Sequence, residues 1–263
     1  MTNPADPELA ALLRDARLDE AHSLAAARVR AAPTDARARL DLADILIVLG
    51  EWDKADTHAD LAGTYDPSRA VGIVLLRQLI RAATWRDQTF AERRPPDLVT
   101  DPDAGIVAAL ALLAGTAPPA GGDEPPALTV TVDGQAQDGF RDLDDRMAGV
   151  LEVLTGNGRY LWVPLSRIAA LRPARPERLR DLVWRPAEIE VASGPGGTVH
   201  IPALYPFGAG EGDAVHRLGR ATDWIETPDG RYRGIGQRGW LAGDDVLTLD
   251  GLGELGVRPA VAA

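Results

Sequence analysis

The sequence contains no cysteine, which excludes disulfides, thiolate metal sites and cysteine nucleophiles together. Lysine is almost absent too. Lys54 stands alone, so nearly all 28 basic residues are arginine, and no run gathers them into a patch. Against 39 acidic residues they leave a formal net charge of −11, which argues against nucleic acid or an anionic membrane as the main partner. No window approaches 18 uninterrupted apolar residues, so no membrane-spanning helix is expected. The opening "MTNPADPELA" lacks the basic and apolar regions of a signal peptide. These absences together predict a cytoplasmic protein.

What is present is ordinary globular composition, 45% hydrophobic and 25% charged over 263 residues, enough for a large core and two domains. The first half repeats itself. "LDEAHSLAAARVRAAPTD" (18–35) is answered by "WDKADTHADLAGTYDPSR" (52–69): Asp19 by Asp53, Ala21 by Ala55, Ala25 by Ala59 and Pro33 by Pro67, each pair 34 residues apart. That interval is the period of tetratricopeptide repeats, whose paired helices approach closely over small side chains. Leu42, Ala43, Ala55 and Ala62 occupy the small or apolar positions of such a unit, while Arg39 stands where an aromatic is usual. Between the copies, Asp35 is placed to cap a helix and Gly50 to end it. Helical character continues through "VGIVLLRQLIRAATW" and "IVAALALLAG", although the repeat signature is lost from Ala70.

The stretch "TAPPAGGDEPPA" has neither periodicity nor core-forming side chains and reads as a linker. The predicted organisation is a helical tetratricopeptide-like domain over 1–115, a linker over 116–127 and a β-rich α+β domain over 128–263. In the last, "ALTVTVDGQ" alternates at period two and ends in a turn signal. "VLEVLTGNGRYLWVPL" reads as two strands joined across Gly156, Asn157 and Gly158. "PERLRDLVWRPAEIEVASGPGGTVHIPALYP" reads as a short helix, a strand, a turn and a second strand. No parallel βαβ unit is evident, so the sheet is expected to be mostly antiparallel, curled or barrel-like.

Chemistry is sparsely signalled. Asp142, Asp144 and Asp145 crowd into "FRDLDDRM" and would suit a hard cation or a metal-dependent hydrolase. The EF-hand alternation fails there, however, and a solvated turn pairing with Arg141 and Arg146 is the plainer reading. The histidines, His22, His58, His200 and His216, share no ligand spacing. No serine sits in a G-x-S-x-G elbow. "GIGQRG" lacks the lysine of a phosphate loop and precedes "WLAGDDV" rather than a helix. No catalytic residue, cofactor or metal site is therefore assigned. "RDLVWRPAEI" and "RLGRATDWIE" each combine Arg, Asp and Trp, residues that staple loops in a core or build recognition surfaces.

In series, "GEWDKAD", "FRDLDDRMAGVLEVLTGNGRYLWVPLSRI", "LRDLVWRPAEIEV", "PALYP" and "RLGRATDW…GIGQR" resemble the ImpE family, also called SciE or TagJ. The likeness runs from about Leu9 to about Leu249, and Leu161 replaces an aromatic usual in that family. The resemblance implies a non-enzymatic accessory protein of bacterial type VI secretion, with a tetratricopeptide-like first domain and an α+β second domain. It also implies binding of a helical N-terminal segment of the small sheath subunit, linking the contractile sheath to its recycling by a AAA+ ATPase. The residues expected to meet that partner are Leu42, Leu46, Leu49 and Trp52 in the helical half, with Trp184 and Trp224 in the β half. The acidic excess predicts a partner segment carrying Arg or Lys. A regulatory module holding a small ligand in the β half is the alternative.

Overall fold

The structure, a computed structural model, describes residues 6–118 and 128–257. Six α-helices come first: α1 (Pro7–Arg14), α2 (Leu18–Ala31), α3 (Ala36–Leu49), α4 (Trp52–Tyr65), α5 (Ala70–Glu92) and α6 (Ala104–Ala114), with a two-residue strand β1 (Asp97–Leu98) before the last. Helices α2 and α4 each run 14 residues and begin 34 apart, as do the starts of α3 and α5. Asp35 accepts from the amides of Arg37 and Ala38 at 2.8 and 3.2 Å, and Gly50 ends α3 at φ 77°. Ala21, Ala25, Ala55 and Ala59 are fully buried, which lets α2 and α4 lie close against their neighbours. Arg39 is buried in place of an aromatic. It donates to Pro33 O at 2.7 Å, and its guanidinium lies over the Tyr65 ring. From Ala70, where the repeat signature is lost from the sequence, a single helix α5 runs 23 residues without a break, and α6 begins only at Ala104.

The second half supplies β2 (Leu128–Val132), β3 (Gln135–Asp142), β4 (Val150–Leu154), β5 (Tyr160–Pro164), β6 (Ile168–Pro173), β7 (Trp184–Val191), β8 (Gly196–Pro202), helix α7 (Ala214–Arg217), β9 (Thr222–Glu226), β10 (Tyr232–Gly236), β11 (Trp240–Ala242), β12 (Asp245–Leu247) and β13 (Leu255–Val257). Eleven strands form one sheet in the order β1-β5-β4-β8-β7-β6-β13-β2-β3-β11-β12, antiparallel except for β1 on β5. The strand order is open, with β1 and β12 at its edges, and β9–β10 stands apart as a hairpin. Asp133 and Gly134, at φ 48° and 84°, form the β2–β3 turn, the mirror-image turn that suits strand twist. The short helix expected in "PERLRDL" is a 3-10 turn, Leu179–Leu182.

Two cores result. One lies within the sheet around Phe140, Leu151, Ile189 and Trp240. The other is shared: helical residues such as Leu46, Leu76 and Ala83 pack with Tyr160, Trp162, Trp184 and Leu204 of the sheet half. Most of the expected linker, residues 119–127, lies outside the described residues.

Candidate partner-binding surfaces

Three features meet where the helices face the sheet: a groove, an aromatic pocket and a buried charge network. The groove is the concave side of α1, α3 and α5, closed by the 3-10 turn at Leu179–Leu182 and by Leu218 and Arg220 beyond α7. Its volume is about 1140 Å³. Leu13, Leu40, Leu179 and Leu182 give it a half-buried apolar floor. Asp44 of α3 lies 2.8 Å from Arg180 Nε but out of line for a hydrogen bond, so the two form an ion contact across the groove. Burial raises the Asp44 carboxyl to about 6 despite Arg180.

The pocket, about 210 Å³, lies between the end of α3, the start of α4, α5 and the loop after β8. Trp52 and Trp184 stack in it, ring centroids 5.6 Å apart. Trp52 Nε1 donates to Asp87 at 2.5 Å, and burial raises the Asp87 carboxyl above its ordinary value. Arg217 lies over the Phe207 ring and donates to Leu49 O at 2.9 Å.

Behind the pocket sits the charge network. Glu152 of β4 is fully buried and accepts from Arg86 Nε and Nη2 at 2.7 and 3.0 Å, from Arg238 and from the Tyr160 hydroxyl. Burial alone would raise the Glu152 carboxyl, but Arg86 and Arg238 hold it at about 2. Arg86 also donates to Leu204 O at 2.9 Å. Asp142 stands 3.7 Å from Arg238, and its other oxygen faces the Tyr205 hydroxyl at 3.1 Å. Burial raises Asp142 to about 7, with Arg238 opposing and Asp144 adding to the rise.

The aspartate cluster is spent on structure. Asp142 caps the Asp144 amide, Asp144 pairs with Arg146 at 2.6 Å, and Asp145 pairs with Arg141 and accepts from the Tyr232 amide. Among the described residues no three His, Cys, Asp or Glu side chains converge as metal ligands. The glycines of "GIGQRG" serve packing: a Cβ on Gly234 would lie 2.2 Å from the Tyr205 ring, and one on Gly236 would lie 2.1 Å from Ala221 O.

Of the residues expected to meet a partner, Leu49, Trp52 and Trp184 come together at the pocket. Leu42 and Leu46 do not line the groove. They are buried at 4% and 2% exposure, because α3 is enclosed on nearly every side and presents Leu40 and Asp44 to the groove instead. Trp224 is 41% exposed on β9 and packs edge-on against Tyr205, 5.6 Å between centroids. Arg185 donates to the Asp181 carbonyl oxygen within its own string at 3.1 Å, but the carboxylate it pairs with, at 2.7 Å, is that of Asp250. Glu152, Arg86 and Arg238 carried no local signal. They come from three distant segments, and only their shared burial joins them.

The chain is similar to known proteins over nearly all its length. The family model described as ImpE protein matches residues 134–256. The type VI secretion system accessory component TagJ of Pseudomonas aeruginosa is 32% identical over 251 residues, 91% of this chain and 89% of that protein. The crystal structure of protein VPA1032 from Vibrio parahaemolyticus superposes with a TM-score of 0.84 at 24% identity, covering 97% of this chain and 98% of that one. That likeness shows the fold. No helix among the described residues is long and apolar enough to cross a membrane.

Proposed function

This chain belongs to the ImpE/TagJ family of type VI secretion accessory components, and from that premise we propose that it is a non-enzymatic cytoplasmic adaptor whose concave groove holds a helical segment of the small sheath subunit. The carrying observation is the groove itself, built from alternate helices of a stack whose boundaries repeat at 34 residues. We read that stack as tetratricopeptide-like, with α1, α3 and α5 as its inner helices. Such stacks expose an apolar concave surface that an amphipathic helix fills.

The test is calorimetric titration of the full chain with a peptide of the cognate small sheath subunit's N-terminal segment, beside a pull-down of the intact subunit. Micromolar affinity is expected for so small an interface. The absence of both heat at tens of micromolar and co-purification sinks the adaptor reading. A second reading, a regulatory small-molecule site, draws on the pocket around Trp52, Trp184 and Phe207. It predicts a bound small molecule in mass spectra of the native purified protein.

A further inference from the structure

We infer that the groove's occupant is an acidic amphipathic helix, with leucine-like side chains toward the floor and Glu or Asp along its flanks. This rests on the groove being the partner site, as proposed above. The chain's net charge of −11 suggests the opposite partner, but the groove does not share that sign. Arg37 pairs with Asp41, Arg180 with Asp44, Asp6 with Arg28, and Arg69 with Asp66 beyond the groove wall. Those pairs cancel. Three guanidiniums remain on the lining, Arg14, Arg178 and Arg220, and none of them makes an ion pair among the described residues. Against them stands Glu177, the one groove-lining carboxylate without an ion pair among the described residues.

Their placement suits a helix laid along the floor. Arg14 ends α1, and Arg220 is held at the same end by donating to Arg14 O and Leu13 O at 2.6 and 2.8 Å. Arg178 stands one residue before the 3-10 turn that closes the groove, near enough to Asp44 to oppose the rise of its carboxyl. An apolar floor with cations at the end of α1 and beside the 3-10 turn selects a helix whose apolar stripe is flanked by carboxylates, and it repels the basic counterpart.

The experiment uses the full chain and two labelled model helices of about 16 residues. Both carry leucine at i, i+3, i+4 and i+7; one has Glu and the other Lys at the flanking positions. Fluorescence anisotropy is expected to show the Glu helix binding about tenfold tighter, the sum of three half-screened ion pairs. That preference should shrink as salt rises and reverse in Arg14→Glu/Arg178→Glu. Arg220 is left intact in this variant because it also caps α1. Circular dichroism verifies that the variant keeps its fold. Equal binding of the two helices, tighter binding of the Lys helix, or no binding of either overturns the charge inference. The cognate sheath peptide separates this from the groove reading. If its binding is lost in Leu40→Asp but indifferent to the arginine reversals, the groove stands and the acidic occupant falls. If its binding survives Leu40→Asp, the groove reading falls as well.

Discussion

Glu152 is the residue on which the junction turns, since two arginines from opposite halves of the chain reach it in a site closed to water. Replacing both charges of a buried pair with apolar groups can be harmless, but removing one partner strands the other. Glu152→Gln leaves Arg86 and Arg238 buried as like charges, and a loss of about 3–5 kcal/mol in urea unfolding is expected. Asp142 behaves in the opposite sense. Because burial raises its carboxyl to about 7, the fold prefers it protonated. That preference supports stability in full below the unfolded value near 4 and is lost as pH rises through 7. Glu152, held at about 2, contributes above its unfolded value and loses that contribution only as pH falls toward 2. Asp142→Asn should therefore compare more favourably with the unaltered chain at pH 8 than at pH 5. A stability difference that is flat across that range would show that Asp142 is already ionised in the fold.

At the scale of elements, the helices show what burial demands of a helical stack. Leu42 and Leu46 sit inside the stack and Leu40 on its concave face, so the two kinds of leucine should fail differently. Leu46→Ala is expected to cost about 2–5 kcal/mol while leaving peptide affinity within a factor of about two in the folded fraction. Leu40→Asp is expected to change stability little and abolish peptide binding. Paired urea unfolding and anisotropy measurements check both, and a Leu46→Ala protein that folds but does not bind would return that residue to the interface. The same contrast marks what was legible beforehand. Short-range devices read directly: the Asp35 cap, the Gly50 stop, the Asp133–Gly134 turn and the duplicated alanines. The face of α3 did not, because its second half, Ile45–Leu49, is apolar all round and periodicity cannot choose a side there. Nor did the place of β13 between β6 and β2, which depends on pairings across more than 80 residues. The Trp52–Trp184 stack unites two residues that the sequence singled out separately. The arginines of the groove wall escaped notice because they gather only in three dimensions.

For the whole molecule, the consequential fact is that the helices and the sheet share one core although the chain between them is expected to be a linker. We propose that the two parts, 1–115 and 128–263, are separable in covalent connection but not in packing. The apolar surface around Trp162, Trp184 and Leu204, the Arg86–Glu152 pair and the Arg180–Asp44 contact all cross the junction. Groove and pocket alike draw walls from both parts. A specific protease site placed between Gly121 and Gly122 tests this. After complete cleavage, the two pieces should still elute together on size exclusion and melt in one transition by both circular dichroism and tryptophan fluorescence. Peptide affinity should be unchanged, because neither groove wall depends on that peptide bond. Urea should then part the pieces at a lower concentration than it unfolds the intact chain, since cleavage turns folding into an association that pays translational entropy. Separation of the pieces in buffer, or two resolved melting transitions, would instead mean that the helical stack and the sheet are independent domains, and that the groove opens whenever they move apart.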